Sequence, residues 1–151
     1  MNGSEMPNKL IPEMIPKTSF FINLRSMLRK DEWDDLRRAT YGRANYVCEI
    51  CSGKGTEHPV ECHEVWDYNE NTSIQKLVRC IALCPACHEA IHLGLAGVRG
   101  RKKQAMEHLK KVNGLSDADV QEIVDGAWKL WKRRNAVKWK MDITVITALG
   151  G

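Results

Sequence analysis

The chain has 151 residues, 43% of them hydrophobic and 28% charged, which suits one compact domain with an appended arm and excludes two full-sized cores. Its apolar runs fall far short of the roughly 20 residues a membrane helix needs, and the N-terminus lacks a signal-peptide core. The expectation is a soluble, cytoplasmic protein with no membrane partner. The formal charge of +4 is uneven: residues 1–93 carry 11 Lys/Arg against 13 Asp/Glu, residues 94–151 carry 12 against 6, and such a basic third is compatible with a polyanionic partner.

Residues 1–17 contain Pro7, Pro12 and Pro16 and read as an arm, loose or laid over the domain. Residues 18–43 read as a helical flank. Phe21, Leu24 and Leu28 space a short helix over 20–30, and Asp31 has the look of an N-cap for a second, with Trp33, Leu36 and Thr40 on one side. Between Asn45 and Asn69, Gly53 and Gly55 mark a turn before HPVECHEVWDY, rich in β-formers, and LVRCIAL at 77–83 supplies a partner strand. Pro85 suits the first turn of a short helix ending at Gly94. Residues 95–151 read as a basic helical extension. One helix there is stopped by Asn113-Gly114, and a second is capped by Ser116 with Asp119 and buries Val120, Ile123, Val124, Ala127 and Trp131. MDITVIT reads as a short terminal strand on a sheet edge. The fold class is therefore α+β.

Six cysteines in an intracellular chain are poor candidates for disulfides. Cys48 and Cys51 form one C-x2-C and Cys84 and Cys87 another, and two such turns supply the four thiolates of a structural, tetrahedral zinc site. A closed site of that kind leaves no open position for chemistry, so the histidines are weighed separately. His88 and His92 lie four apart on one face of the predicted helix and could grip one ion. On a regular strand Cys62 and His63 point to opposite faces. Cys80 reads as a small buried apolar residue, His58 and His108 as solvated, and Glu64 as a weak candidate for an outer acceptor. Trp66, Trp128, Trp131 and Trp139 read as packing residues. Lys129, Lys132, Arg133, Arg134, Lys138 and Lys140 form the best candidate set for phosphate contacts outside the cysteine segment, and a solvated helix end explains them equally well.

Taken together, CEIC, ECHEVW and LVRCIALCPACHEAIH resemble the HNH endonuclease family, the ββα-metal module in its version stapled by a four-cysteine zinc knuckle, over residues 44–94. The resemblance implies metal-dependent hydrolysis of DNA phosphodiester bonds, leaving a 5′-phosphate and a 3′-hydroxyl. It implies His63 as general base. Cys62 stands where the family usually has Asp or His as a ligand of the catalytic metal, and His88 and His92 complete that site, so a second divalent ion (Mg²⁺, Mn²⁺, Ni²⁺ or Zn²⁺) is implied beside the structural Zn²⁺. The family's middle Asn, which orients the base, falls on Arg79, whose guanidinium cannot accept a hydrogen bond but can grip a phosphate. The alternative is a zinc-binding module that binds nucleic acid or a protein without cleaving it. A redox-responsive zinc switch is a third reading.

Overall fold

A computed structural model describes residues 9–20 and 22–146. Among them are six α-helices, a 3-10 turn at Lys17–Ser19 and a three-stranded sheet, an α+β fold. The helix expected over 20–30 is interrupted. Asn23 and Ser26 cap α1 (Leu24–Met27) reciprocally, and Leu28 then adopts an extended backbone, φ −98° and ψ 155°. A second helix, α2, runs over Lys30–Arg43, and Asp31 lies in its first turn rather than at its cap, where the Glu32 carboxylate accepts the Arg29 amide at 3.0 Å. Phe21 lies outside the described residues.

Strands β1 (Glu61–Asn69) and β2 (Ile74–Leu83) pair antiparallel, with His63 opposite Ile81 and Glu64 opposite Cys80. Val65 pairs with Arg79 but Trp66 with Leu77, so Val78 is an extra residue that bends the strand. The bulge turns Leu77 onto the face of Cys80, where both pack with Leu24 against Trp33, Leu36, Cys62 and Trp66. The other face joins a larger core of Leu83, Ile91, Leu93, Leu109, Val120 and Val124. The terminal strand is shorter than the sequence suggests. β3 (Lys140–Asp142) pairs parallel with the start of β2, and the Asp142 carboxylate then accepts the Thr144 amide at 3.0 Å and begins a helical turn.

The helix expected to end at Gly94 is two helices, α3 (Pro85–Ile91) and α4 (Leu93–Val98), broken at His92 with φ −89° and ψ 54°. Gly94 lies inside α4. A Cβ there would stand 3.2 Å from Met14 Cγ, so the glycine admits the arm. Helix α5 (Lys102–Asn113) ends at Gly114 in the left-handed region, φ +65°, and α6 (Asp117–Arg134) begins where the Ser116 hydroxyl accepts the Asp119 amide at 3.2 Å.

From residue 9 onward the arm is laid over the domain. Leu10 is fully buried, its N–H donating to Asn113 Oδ1 at 3.0 Å and its carbonyl accepting from Asn113 Nδ2 at 2.7 Å. Glu13 N–H donates to the Ile91 carbonyl at 2.7 Å, and the Trp131 indole donates to the Ile15 carbonyl at 3.1 Å. Lys17 N–H and the Thr18 hydroxyl donate to Asn135 Oδ1 and the Val137 carbonyl. No helix among the described residues is long and apolar enough to cross a membrane.

Candidate metal centres

Cys48 and Cys51 lie in the turn that follows α2, and Cys84 and Cys87 at the N-cap and first turn of α3. The two turns are brought together by backbone pairing: Glu49 N–H donates to the Ala82 carbonyl at 2.9 Å, and the Glu49 carboxylate accepts the Ala82 amide at 2.6 Å. All four sulfurs lie within 4.8 Å of one another, and Cys51 Sγ is 3.6 Å from Cys84 Sγ. Tetrahedral zinc with zinc–sulfur bonds of ~2.3 Å requires sulfurs about 3.8 Å apart, so the donor set fits. Amides of Cys51, Gly53 and Cys87 point at Cys48, Cys51 and Cys84 sulfur at 3.4–3.5 Å, the donors a thiolate cluster needs. As free thiols the four could not all ionise. Hydrogen bonding, that of Cys87 first, holds Cys48 down at about 4, while the same bond pushes Cys87 up. These cysteines could hold a metal ion such as zinc.

His108 of α5 joins this centre, its Nε2 3.2 Å from Cys87 Sγ. The sequence suggests a solvated residue there; the packing of α5 on α3 instead turns the ring onto the thiol.

A second group converges one residue along α3. Ring nitrogens of His63, His88 and His92 lie within 4.8 Å of one another, and His88 Nε2 is 3.1 Å from His92 Nε2. Two imidazole nitrogens each about 2.1 Å from one ion, at an angle between square and tetrahedral, lie roughly 3.0–3.4 Å apart, so this pair also fits a divalent cation. His63 is 4% exposed, and its Nδ1 is buried with no partner. Burial, reinforced by the neighbouring His92 and His88, lowers His63 to about 3, and burial followed by His88 lowers His92 to about 4. Both are neutral at pH 7, the form in which imidazole offers a lone pair.

Carboxylates frame the histidines. Glu61 Oε1 lies 2.9 Å from His88 Nδ1 and Glu61 Oε2 lies 2.8 Å from His58 Nε2, and these hydrogen bonds, His88's first, hold Glu61 at about 2. The arrangement fixes His88 with Nδ1 protonated and Nε2 free for an ion. Glu13 Oε2, from the arm, is 3.9 Å from His63 Nε2.

Cys62 is not among the converging side chains. Strand alternation sends it to the opposite face, where it packs against the cluster of Leu24, Leu77 and Cys80. Glu64, on that face too, accepts the Leu24 amide at 2.9 Å. Arg79 is exposed beside the bulge. Of the basic run, Lys129, Lys132, Lys138 and Lys140 are exposed, but Arg133 is paired with Glu70 at 2.8 Å and Arg134 is half-buried, its guanidinium 4.1 Å from the centre of the Tyr68 ring. A different set of cations flanks the histidines. A cleft of about 790 Å³ opens onto Glu61, His88 and His92, with Arg25, Lys30 and Arg37 from α1 and α2 along one wall and Arg99, at the end of α4, on the other. Lys30 and Arg37 are engaged by Asp34, and Glu89 by Arg101, whereas Arg25 and Arg99 form no ion pair among the described residues.

Glu61 precedes the Cys-His pair directly and was within reach of sequence reasoning as an outer partner of a ligand. Glu13, Arg25, Arg99 and His108 carry no local signal. Comparison of the chain with protein-family models, curated proteins and solved structures finds no match.

Proposed function

We propose that the chain is a metal-dependent endonuclease of the HNH type acting on DNA, with the cleft between α2 and α4 receiving the phosphate backbone. The observation that carries this reading is the convergence of His63, His88 and His92, the last two of which line a cleft that also holds Arg25 and Arg99, guanidiniums with no ion pair among the described residues. His88 and His92 would hold a divalent ion, which when bound supplies positive charge to a phosphate. His63, neutral at pH 7 and in ring contact with both histidines, takes a proton from water. The water oxygen bonds to phosphorus as the bond to the 3′ oxygen breaks, and the departing oxygen takes up a proton from solvent in the open cleft to give a 3′-hydroxyl and a 5′-phosphate. Arg25 and Arg99 each present a planar fork suited to a phosphate on either side of the scissile bond. The four-cysteine site leaves no coordination position open and serves to hold α3, and with it His88 and His92, in place.

A nicking assay on supercoiled plasmid, with zinc-replete protein scanned over Mg²⁺, Mn²⁺, Ni²⁺ and Zn²⁺, tests the proposal. Nicking is expected to depend on metal and to disappear in His63→Ala. The exposure of Arg79, at the position where the family's Asn orients the base, favours a second reading: a zinc-stapled module that binds nucleic acid without cleaving it. DNA affinity that survives His63→Ala, together with no nicking by folded wild type under any metal, would select that second reading.

A further inference from the structure

Positive charge and aromatic faces do different work on DNA. Duplex binding draws its affinity from phosphates met by Lys and Arg, because stacked bases offer only their edges. A single strand also exposes base faces, and a groove that binds it sets aromatic rings along a basic track.

The α2 wall of the cleft is of the second kind. Lys30, Trp33, Arg37 and Tyr41 line it, and the last three follow one another at four-residue intervals, so aromatic and cation alternate along one face of the helix. Both cations are already engaged by Asp34, Lys30 at 3.6 Å and Arg37 at 3.0 Å, which weakens their pull on a phosphate and leaves the rings as the chief contacts of this wall. The rings are half-buried and backed: Trp33 packs on the cluster of Leu24, Leu77 and Cys80, and the Tyr41 ring stands 6.2 Å from that of Tyr46. At ~1.5 Å of rise per residue the two positions lie about 12 Å apart along the helix axis, roughly three to four nucleotides of a stacked strand. Across the cleft, α4 presents Leu95, 39% exposed, and Arg99. The cleft volume of about 790 Å³ falls within the roughly 300–1,000 Å³ of sites that enclose small molecules, which suits a short stretch of single strand and not a duplex.

We propose that the cleft takes an unpaired stretch of DNA. Its bases stack on Trp33 and Tyr41, while Arg25 and Arg99, which form no ion pair among the described residues, hold phosphates beside His88 and His92. The inference rests on the endonuclease reading and narrows the substrate to single strands and to duplex that has opened locally. A negatively supercoiled plasmid offers such openings, since supercoiling favours strand separation.

Fluorescence anisotropy of a labelled oligothymidylate and of a labelled duplex of equal length, at one salt concentration, tests this on the full chain carrying one equivalent of zinc and no other divalent metal. Wild type is expected to bind the single strand about tenfold or more tighter than the duplex. Tyr41→Leu and Trp33→Leu should each weaken single-strand binding about fivefold or more and leave duplex binding within about twofold, whereas Tyr41→Phe, which keeps the ring, should match wild type. Leucine preserves apolar contact with the Leu24 cluster, and circular dichroism checks the fold of each variant; Tyr41, outside that cluster, carries the test if Trp33→Leu unfolds. Duplex bound as tightly as single strand, no binding of either, or single-strand affinity unmoved by Tyr41→Leu in a folded protein overturns the inference. Affinity is read without cleavage. A wild type that binds single strands through these rings yet nicks nothing overturns the endonuclease reading alone, and one whose nicking needs metal and His63 but which prefers duplex overturns the inference alone.

Discussion

Glu61→Gln isolates the contribution of one carboxylate to the histidine centre. Glu61 accepts from His88 Nδ1 at 2.9 Å and from His58 Nε2 at 2.8 Å, and is ionised at any pH above about 2. The amide has the same shape and keeps a carbonyl acceptor but loses the charge. A hydrogen bond to a charged group contributes about 1.5–3 kcal/mol and a neutral one about 0.5–1.5 kcal/mol, so the His88 contact weakens by about 1–2 kcal/mol. His88 is then oriented less firmly, and the second divalent ion should bind roughly 5- to 30-fold more weakly. Calorimetric titration of Mn²⁺ into protein already carrying one equivalent of zinc measures this step. The preceding zinc step should be unchanged, since Glu61 bonds to histidines and not to the four cysteines. A second-step Kd within about twofold of wild type, alongside a His88→Ala variant that no longer binds the ion, would refute the argument that Glu61 orients His88.

The depressed histidines make stability pH-dependent with a definite sign. His63 and His92 titrate near 3 and 4 in the fold, below their ordinary 6.5, so from pH 6.5 downward the unfolded chain gains protons that the fold refuses. Denaturant unfolding from pH 7 to 5.5 should therefore show stability falling by up to about 1.4 kcal/mol per pH unit for each histidine, and His63→Gln should flatten the slope; equal slopes would contradict this. Gly55→Ala should destabilise by about 1–3 kcal/mol in the same assay, because the new methyl runs into the His58 carbonyl and stands 2.7 Å from Pro85 Cδ at the start of α3. In salt-dependent DNA binding, Arg25→Ala and Arg99→Ala should each reduce the slope of log affinity against log salt by about 1, whereas Arg133→Ala, already tied to Glu70, should change it little.

What the sequence discloses is mostly local chemistry. The C-x2-C pairs, the stop at Asn113-Gly114 and the Ser116 cap are written within four residues each, and all appear where the spacing puts them. The break at His92 was not legible, because no glycine or proline stands at that position to mark it. The facing of Cys62 was legible, since strand alternation sets it opposite His63; only the resemblance to the motif put it among the ligands. Arg134 shares a basic run with Lys132 and Lys138, and only the arrival of Tyr68 from β1 turns it inward. Glu13 is the extreme case, since nothing near Pro12 or Met14 points to a histidine on a distant strand.

The stitching of the arm also sets an order of events during synthesis. Leu10, Ile15, Lys17 and Thr18 leave a ribosome at least 103 residues ahead of their partners Asn113, Trp131, Asn135 and Val137. Loops of that length close late in folding. The hairpin and its cysteines can assemble while the arm still waits for Trp131 of the sixth helix to receive it. A nascent chain would thus bring its cysteine and histidine clusters together before the arm is fastened down.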